Sequence, residues 1–173
     1  MKHAVRLIGI MAGLLLAVGV VATQAQPQFA GTWVLDRAQS QLPTHEGRKH
    51  RGPDPQAQPT DVKLVVEQQG HTVKATRTVA RGNRERSMAE TYVADGTEQA
   101  HPARRGSVVT RALFEGDRLV VSKTHTMKSD QGEKTMSRES TWSLSPDGKV
   151  LTIDTKLRTP RGDRSIKSVY LRS

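Results

Sequence analysis

The sequence predicts an all-β protein, a single antiparallel up-and-down β-barrel of about eight to ten strands. Three observations carry that prediction. Turn signals recur about every dozen residues, at Gly70, Gly82-Asn83, Asp95-Gly96, Gly116-Asp117, Asp147-Gly148 and Gly162-Asp163. The runs between them are rich in Val, Thr, Leu and Ile, residues that suit a pleated, half-buried surface. Within the runs apolar side chains alternate, as in Val62, Leu64 and Val66, and no run holds a helical period of useful length. Strands at this spacing make a meander, and closing it removes exposed edges.

The elements follow in order. A first strand covers Phe29–Leu35, and Asp36–Leu42 reads as a helical turn. Residues 43–60 hold four Pro and two Gly without periodicity, and are basic in their first half, so they read as a long mobile loop. Strands then fall at Asp61–Gln69, Thr72–Ala80 and Arg84–Val93. A short piece, Thr97–Ala100, precedes a turn at His101-Pro102. The remaining strands are Ser107–Glu115, Arg118–Lys128, Lys134–Ser145, Lys149–Thr159 and Ser165–Arg172.

The first 25 residues stand apart. Lys2 and Arg6 precede an uncharged apolar stretch, Leu7–Val21, and small residues at Ala22 and Ala25 offer two cleavage positions. That is the layout of a cleaved Sec-type signal peptide, too short in its apolar part for a membrane span. Cleavage after Ala25 leaves one domain, residues 26–173, in a bacterial periplasm or outside the cell. There is no cysteine, so the domain depends on its core rather than on disulfides. The formal charge of +10 falls by two with Lys2 and Arg6 gone. Such a chain attracts anions. Nucleic-acid binding is disfavoured, since there is no groove-reading helix and the six aromatic residues sit where a core needs them.

In a meander, successive turns lie at alternate ends. One end, here end A, collects Gly70, Asp95-Gly96, Gly116-Asp117 and Asp147-Gly148, together with Phe29, Trp33, Tyr92, Phe114, Trp142 and Tyr170. It should be packed. The opposite end B collects Arg48, Lys49, Arg51, Arg81, Arg84, Arg104, Arg105 and Arg161. Alternation along the strands adds a second inference. Arg77, Arg86, Lys123, His125 and Arg138 share the phase of apolar neighbours, so they point inward in the half nearer end B, with Glu90 as a counter-charge. Buried unpaired charge is costly. Either these residues line a wet, anion-binding cavity, or the strands are bulged or shifted and the charges face solvent.

At Gly31-Thr32-Trp33 the chain resembles the calycin superfamily, the lipocalins and their relatives. In that superfamily a Gly-x-Trp opens the first strand, and a basic residue near the end of the last strand packs across the indole. Arg172 matches that position, and a cation–π contact gives the pairing its physical basis. More closely, the stretches 29–36, 114–121 and 142–149 resemble small exported lipocalin-like proteins of bacteria. The resemblance implies a barrel with a possible cavity and names no ligand.

No catalytic constellation emerges. There is no Gly-x-Ser-x-Gly elbow, no catalytic Cys and no phosphate-cradling glycine loop. The six His residues lack metal-site spacing, and no cofactor is implied. Arg161-Gly162-Asp163 is explained by hairpin-turn chemistry. The expected function is therefore binding of a small amphiphilic or anionic ligand, such as a fatty acid or acidic lipid. Its tail would lie in the apolar half, with its head group against Arg77, Arg86 or Arg138. The alternative is a filled-core envelope interaction or inhibitor module whose basic loops meet an acidic protein, lipid or polysaccharide surface.

Overall fold

The computed structural model describes residues 26–42, 61–129 and 132–173. The stretches read from the sequence as a signal peptide (1–25) and a mobile loop (43–60) fall outside the described residues. Ten strands make one antiparallel sheet: β1 (Gly31–Gln41), β2 (Asp61–Gln69), β3 (Thr72–Arg81), β4 (Arg84–Val93), β5 (Asp95–Ala103), β6 (Gly106–Glu115), β7 (Arg118–Ser129), β8 (Gly132–Leu144), β9 (Val150–Thr159) and β10 (Gly162–Arg172). Their spatial order is β4-β3-β2-β1-β10-β9-β8-β7-β6-β5. Apart from β1 against β10, every neighbour in space is a neighbour in sequence. The up-and-down barrel predicted from the turns is therefore the fold, and the two ends of the meander close on each other.

The barrel is nearly closed rather than closed. Its two sheet edges are β4 and β5, which follow one another in the chain but do not pair. The Asp95-Gly96 signal, read as a hairpin, is instead a divergence. Ala94 N–H donates to the carbonyl of His71 at 2.7 Å, and the Asp95 carboxylate takes the Thr97 amide at 2.9 Å and the Thr97 hydroxyl at 2.6 Å. These local bonds turn the chain away before a ladder can form.

Two further expectations are corrected. Asp36–Leu42 is not a helical turn: β1 continues to Gln41 through an irregularity between Asp36 and Gln41. Asp36 Oδ1 accepts the amides of Ala38 and Gln39, and Ser40 Oγ accepts from Val169 N at 2.9 Å. Polar residues that look helical in sequence here form a bulge pinned to β10. The strand placed at Thr97–Ala100 runs on through His101-Pro102 to Ala103, and its hairpin turn lies at Arg104-Arg105. Proline is tolerated because β5 is an edge and needs no second ladder.

The core sits toward end A, as the sequence predicts. Phe29, Trp33, Val73, Leu119 and Leu151 have no exposure. Phe29 stacks on Phe114 and meets Trp142 edge-on, with centroids 6.5 and 6.0 Å apart. The segment that carries Phe29 is held by its backbone: Phe29 N–H donates to Gln68 Oε1, and Gln68 Nε2 donates to the Pro27 carbonyl. The signature residues meet as expected. Arg172 Cζ lies 4.2 Å from the centroid of the Trp33 ring, while Nε and a terminal nitrogen donate to the carbonyls of Gly148 and Ala30. Trp33 Nε1 donates to the Phe29 carbonyl at 3.0 Å. Gly31 makes the stack possible: at φ +146°, any Cβ would meet the Arg172 guanidinium at 2.5 Å.

Gly106 carries a harder constraint. Its φ is +135°, and a Cβ there would come within 1.9 Å of the Thr126 carbonyl oxygen on β7. Backbone cannot swing aside as a side chain can. Gly106→Ala should cost about 3 kcal/mol or more, combining strain with overpacking. Gly82→Ala also places a side chain at positive φ, but in open space, and should cost about 1 kcal/mol. Urea unfolding of the two variants checks the difference, and equal midpoints would refute it.

Candidate functional site

Where the aromatic floor ends, the inner face turns polar. A small cleft, open on one side and enclosing only about 10 Å³, is lined by Glu90 and Tyr92 of β4, Val121 and Lys123 of β7, and Arg138, Ser140 and Trp142 of β8. Strand periodicity puts these residues there. Val121, Lys123 and Leu119 are spaced by two, as are Arg138, Ser140 and Trp142, and the register sets Leu119 against Trp142, Val121 against Ser140 and Lys123 against Arg138. Cross-strand partners share a face. Buried Trp142, Leu119 and Val121 fix that face as the inner one, so Lys123 and Arg138 project inward from neighbouring strands.

Two cations directly opposite one another repel. One carboxylate answers them from across the barrel. Lys123 Nζ lies 2.7 Å from Glu90 Oε1, linking β7 to the edge strand β4. The Tyr92 hydroxyl donates to the other oxygen of the same carboxylate. Arg138 Nε donates to Ser140 Oγ at 3.2 Å, and Ser140 hydrogen-bonds Thr155 Oγ1 on β9 at 3.0 Å. The Ser140–Thr155 pair is buried and satisfied. It holds the Nε edge of the Arg138 guanidinium, while no described residue hydrogen-bonds the terminal guanidinium nitrogens.

The local field sets the direction in which each acid is shifted. Burial alone would raise the Glu90 carboxyl. The hydrogen bonds from Lys123 and Tyr92, with the charges of Lys123 and Arg138, outweigh burial and hold it below its ordinary value. The Tyr92 hydroxyl is pushed well up, first by burial, then by its hydrogen bond to Glu90 and by the Glu90 charge. Burial also raises Tyr170, against the opposing charges of Arg77 and Arg138. Arg77 thus belongs to the same electrostatic neighbourhood, from β3.

The five residues singled out in the sequence all share a sheet face with the core. Lys123 and Arg138 line the cleft. Arg77 sits opposite Leu64 and Met88, one step from the aromatic floor. Arg86, opposite Val79, and His125, opposite Val108 and Met136, lie higher, toward end B. Arg77, Arg86 and Arg138 are exposed, and Lys123 and His125 half-buried. Sequence reasoning placed Tyr92, Trp142 and Tyr170 only in the core and missed Ser140 and Thr155. The signal for Ser140 was available: it stands midway between Arg138 and Trp142 and must share their phase. Thr155 depends on register across strands, which periodicity alone does not give. Among the described residues, no three His, Asp or Glu side chains converge as a metal site would require.

No protein-family model and no curated protein sequence matches the chain. Solved structures do. The chain is similar to zebrafish ileal bile acid-binding protein complexed with cholic acid, at TM-score 0.51 and 14% identity, covering 84% of this chain and 98% of that one. The fold is that of a calycin-like barrel. Human cRBP IV follows at TM-score 0.49 and 14% identity, covering 84% and 98%. Secretory abundant heat soluble protein 4 from Ramazzottius varieornatus follows at TM-score 0.49 and 12% identity, covering 83% and 94%.

A carboxyl held below its ordinary value of about 4.3 stabilises the fold fully above that pH, and the contribution is lost as pH falls through the folded value. Glu90→Gln removes it. Stability should therefore fall less steeply in the variant than in the wild type between about pH 5 and pH 3. Some slope will remain, because hydrogen bonds from Thr97 and Ser145 also hold Asp95 and Asp147 low. Urea unfolding across a pH series measures this, and parallel curves would contradict it.

Proposed function

We propose that the protein binds a small amphiphilic anion, such as a fatty acid or another acidic lipid, inside the barrel. The observation that carries this is the surplus of positive charge on the inner wall: Lys123 and Arg138 stand side by side, Arg77 is close by, and Glu90 is the one carboxylate lining the cleft. An anionic head group supplies the missing charge, and Arg offers it a paired, directional set of donors. The neighbour with bound cholic acid, itself an anionic amphiphile, supports the capacity of this fold for such cargo.

The orientation differs from the one the sequence suggested. The apolar half is filled by Phe29, Trp33, Phe114 and Trp142, which leaves no slot for a tail. On this reading the head group enters first and meets the cations just above the aromatic floor. The tail then runs toward end B along Val79, Met88, Val108, Met136 and Leu157, which share the inner face. Met88 is 51% exposed, and covering it supplies part of the apolar driving force.

Export belongs to the same proposal and rests on the sequence from Lys2 to Ala25 alone. The mature protein would then bind its ligand in a bacterial periplasm or outside the cell. Intact-mass measurement on protein secreted by a bacterial host should show a chain starting after Ala22 or Ala25, and an uncleaved chain would refute export.

Titration of the purified domain with dodecanoate tests the site. Saturable binding is expected, with dodecanol binding more weakly. Arg138→Ala should weaken dodecanoate binding by roughly tenfold, the worth of one charge-assisted hydrogen bond. No saturation, or equal binding by the variant, would overturn the assignment.

A second reading has its own observation. The strand ends and turns of end B expose Arg81, Arg84, Arg104, Arg105, Arg161 and Arg164. A surface so basic favours an acidic partner, and binding through it alone would weaken steeply with salt.

A further inference from the structure

We propose that Glu90 is a resident substitute for the ligand's anion, and that its displacement from Lys123 opens the seam between β4 and β5 as the ligand enters. The inference rests on the anion-binding reading above and adds a coupling between occupancy and barrel closure.

The geometry behind it is specific. β4 is a sheet edge, paired on one side only, to β3. Across the lumen it is tied near end A to β7 and β8 by two side-chain contacts. Glu90 reaches Lys123 at 2.7 Å, and Tyr92 meets Trp142 edge-on with centroids 6.3 Å apart. Toward end B, every residue from Arg84 to Ala89 is exposed. The polar tie therefore holds β4 toward the far wall just below the stretch where the edge strand is exposed.

The carboxylate of Glu90 sits where a ligand carboxylate would sit. It takes a hydrogen bond from Lys123, it feels the charge of Arg138, and a tyrosine hydroxyl satisfies its second oxygen. Two carboxylates cannot share that corner, because like charges at such range repel strongly. A ligand anion with an apolar tail gains from both ends, and Glu90 has no tail to bury. Once the ligand holds Lys123 and Arg138, Glu90 is free to turn to solvent, and β4 loses its polar tie. A neutral ligand does not compete for Lys123 and leaves the seam shut. Glu90 is thus a specificity-determining residue: it selects anionic over neutral amphiphiles and makes their entry open the barrel wall.

The absence of cysteine makes the test direct. Spin labels at Ala89→Cys on β4 and Glu98→Cys on β5 report the seam width; both positions are exposed and outward-facing by register. Saturation with dodecanoate should lengthen the label distance by several Å, and dodecanol should not. Glu90→Gln, nearly isosteric, should show the longer distance without ligand and bind dodecanoate about threefold to tenfold more tightly, the scale of a half-exposed ion pair. Lys123→Gln should also widen the seam, yet bind dodecanoate more weakly, which separates the tie from the anion site. An unchanged distance at saturation, or no gain in affinity for Glu90→Gln, overturns the coupling and leaves the binding reading intact. Absence of saturable dodecanoate binding in both wild type and Glu90→Gln overturns the binding reading and the coupling with it.

Discussion

The pairing of the first strand with the last governs the architecture. β1 and β10 register Trp33 against Arg172, which lays the guanidinium over the indole and lets it cap the carbonyls of Ala30 and Gly148. That one stack joins the entry of the chain, its end and the β8–β9 turn. It also decides where the sheet stays open. A meander closed through its termini must carry any break at an interior connection, and here it falls between β4 and β5. The seam is the complement of a tightly made closure on the opposite wall.

The same closure sets the electrostatic economy of the interior. End A is filled with aromatic and aliphatic side chains and leaves its floor dry. Directly above, the inner positions turn to Arg, Lys, Glu and Ser with no change of periodicity. Buried cations in a sealed core would be several kcal/mol too costly, and here the open end lets water reach Arg77 and Arg138. The belt therefore survives at the boundary between dry floor and open mouth, the one depth where strong directional interactions and access coexist.

Much of this was legible in the sequence, and the reasons it stopped where it did are physical. Turn residues and alternation located the strands, because β-structure writes a period of two into the chain. Parity alone put Arg77, Lys123 and Arg138 on the inner face. What parity does not encode is which strand lies opposite which across the lumen. Glu90 was legible as a counter-charge to some inward cation, but that its partner is Lys123, three strands away in sequence, follows only from curvature. The Asp95-Gly96 turn misled for a related reason. A hairpin signal fixes the reversal of the chain, while pairing depends on whether curvature brings the two strands within hydrogen-bonding range. Asp36–Leu42 misled because a bulge and a helical turn draw on the same short polar side chains to satisfy local amides.

The proposed ligand orientation follows from how these parts are stacked. A barrel whose apolar end were hollow would draw a tail inward and leave a head group at the rim, where salt screens it. With Phe29, Phe114 and Trp142 occupying that end, the deepest accessible chemistry is charge. A ligand can then gain electrostatic energy only by sending its anion in first, into a less polar setting where each ion contact counts for more. The methionines and aliphatic residues on the upper inner face serve the tail on its way out, and the arginines at end B draw the anion toward the opening. On this reading, filling one end of the barrel is what gives the other end its selectivity.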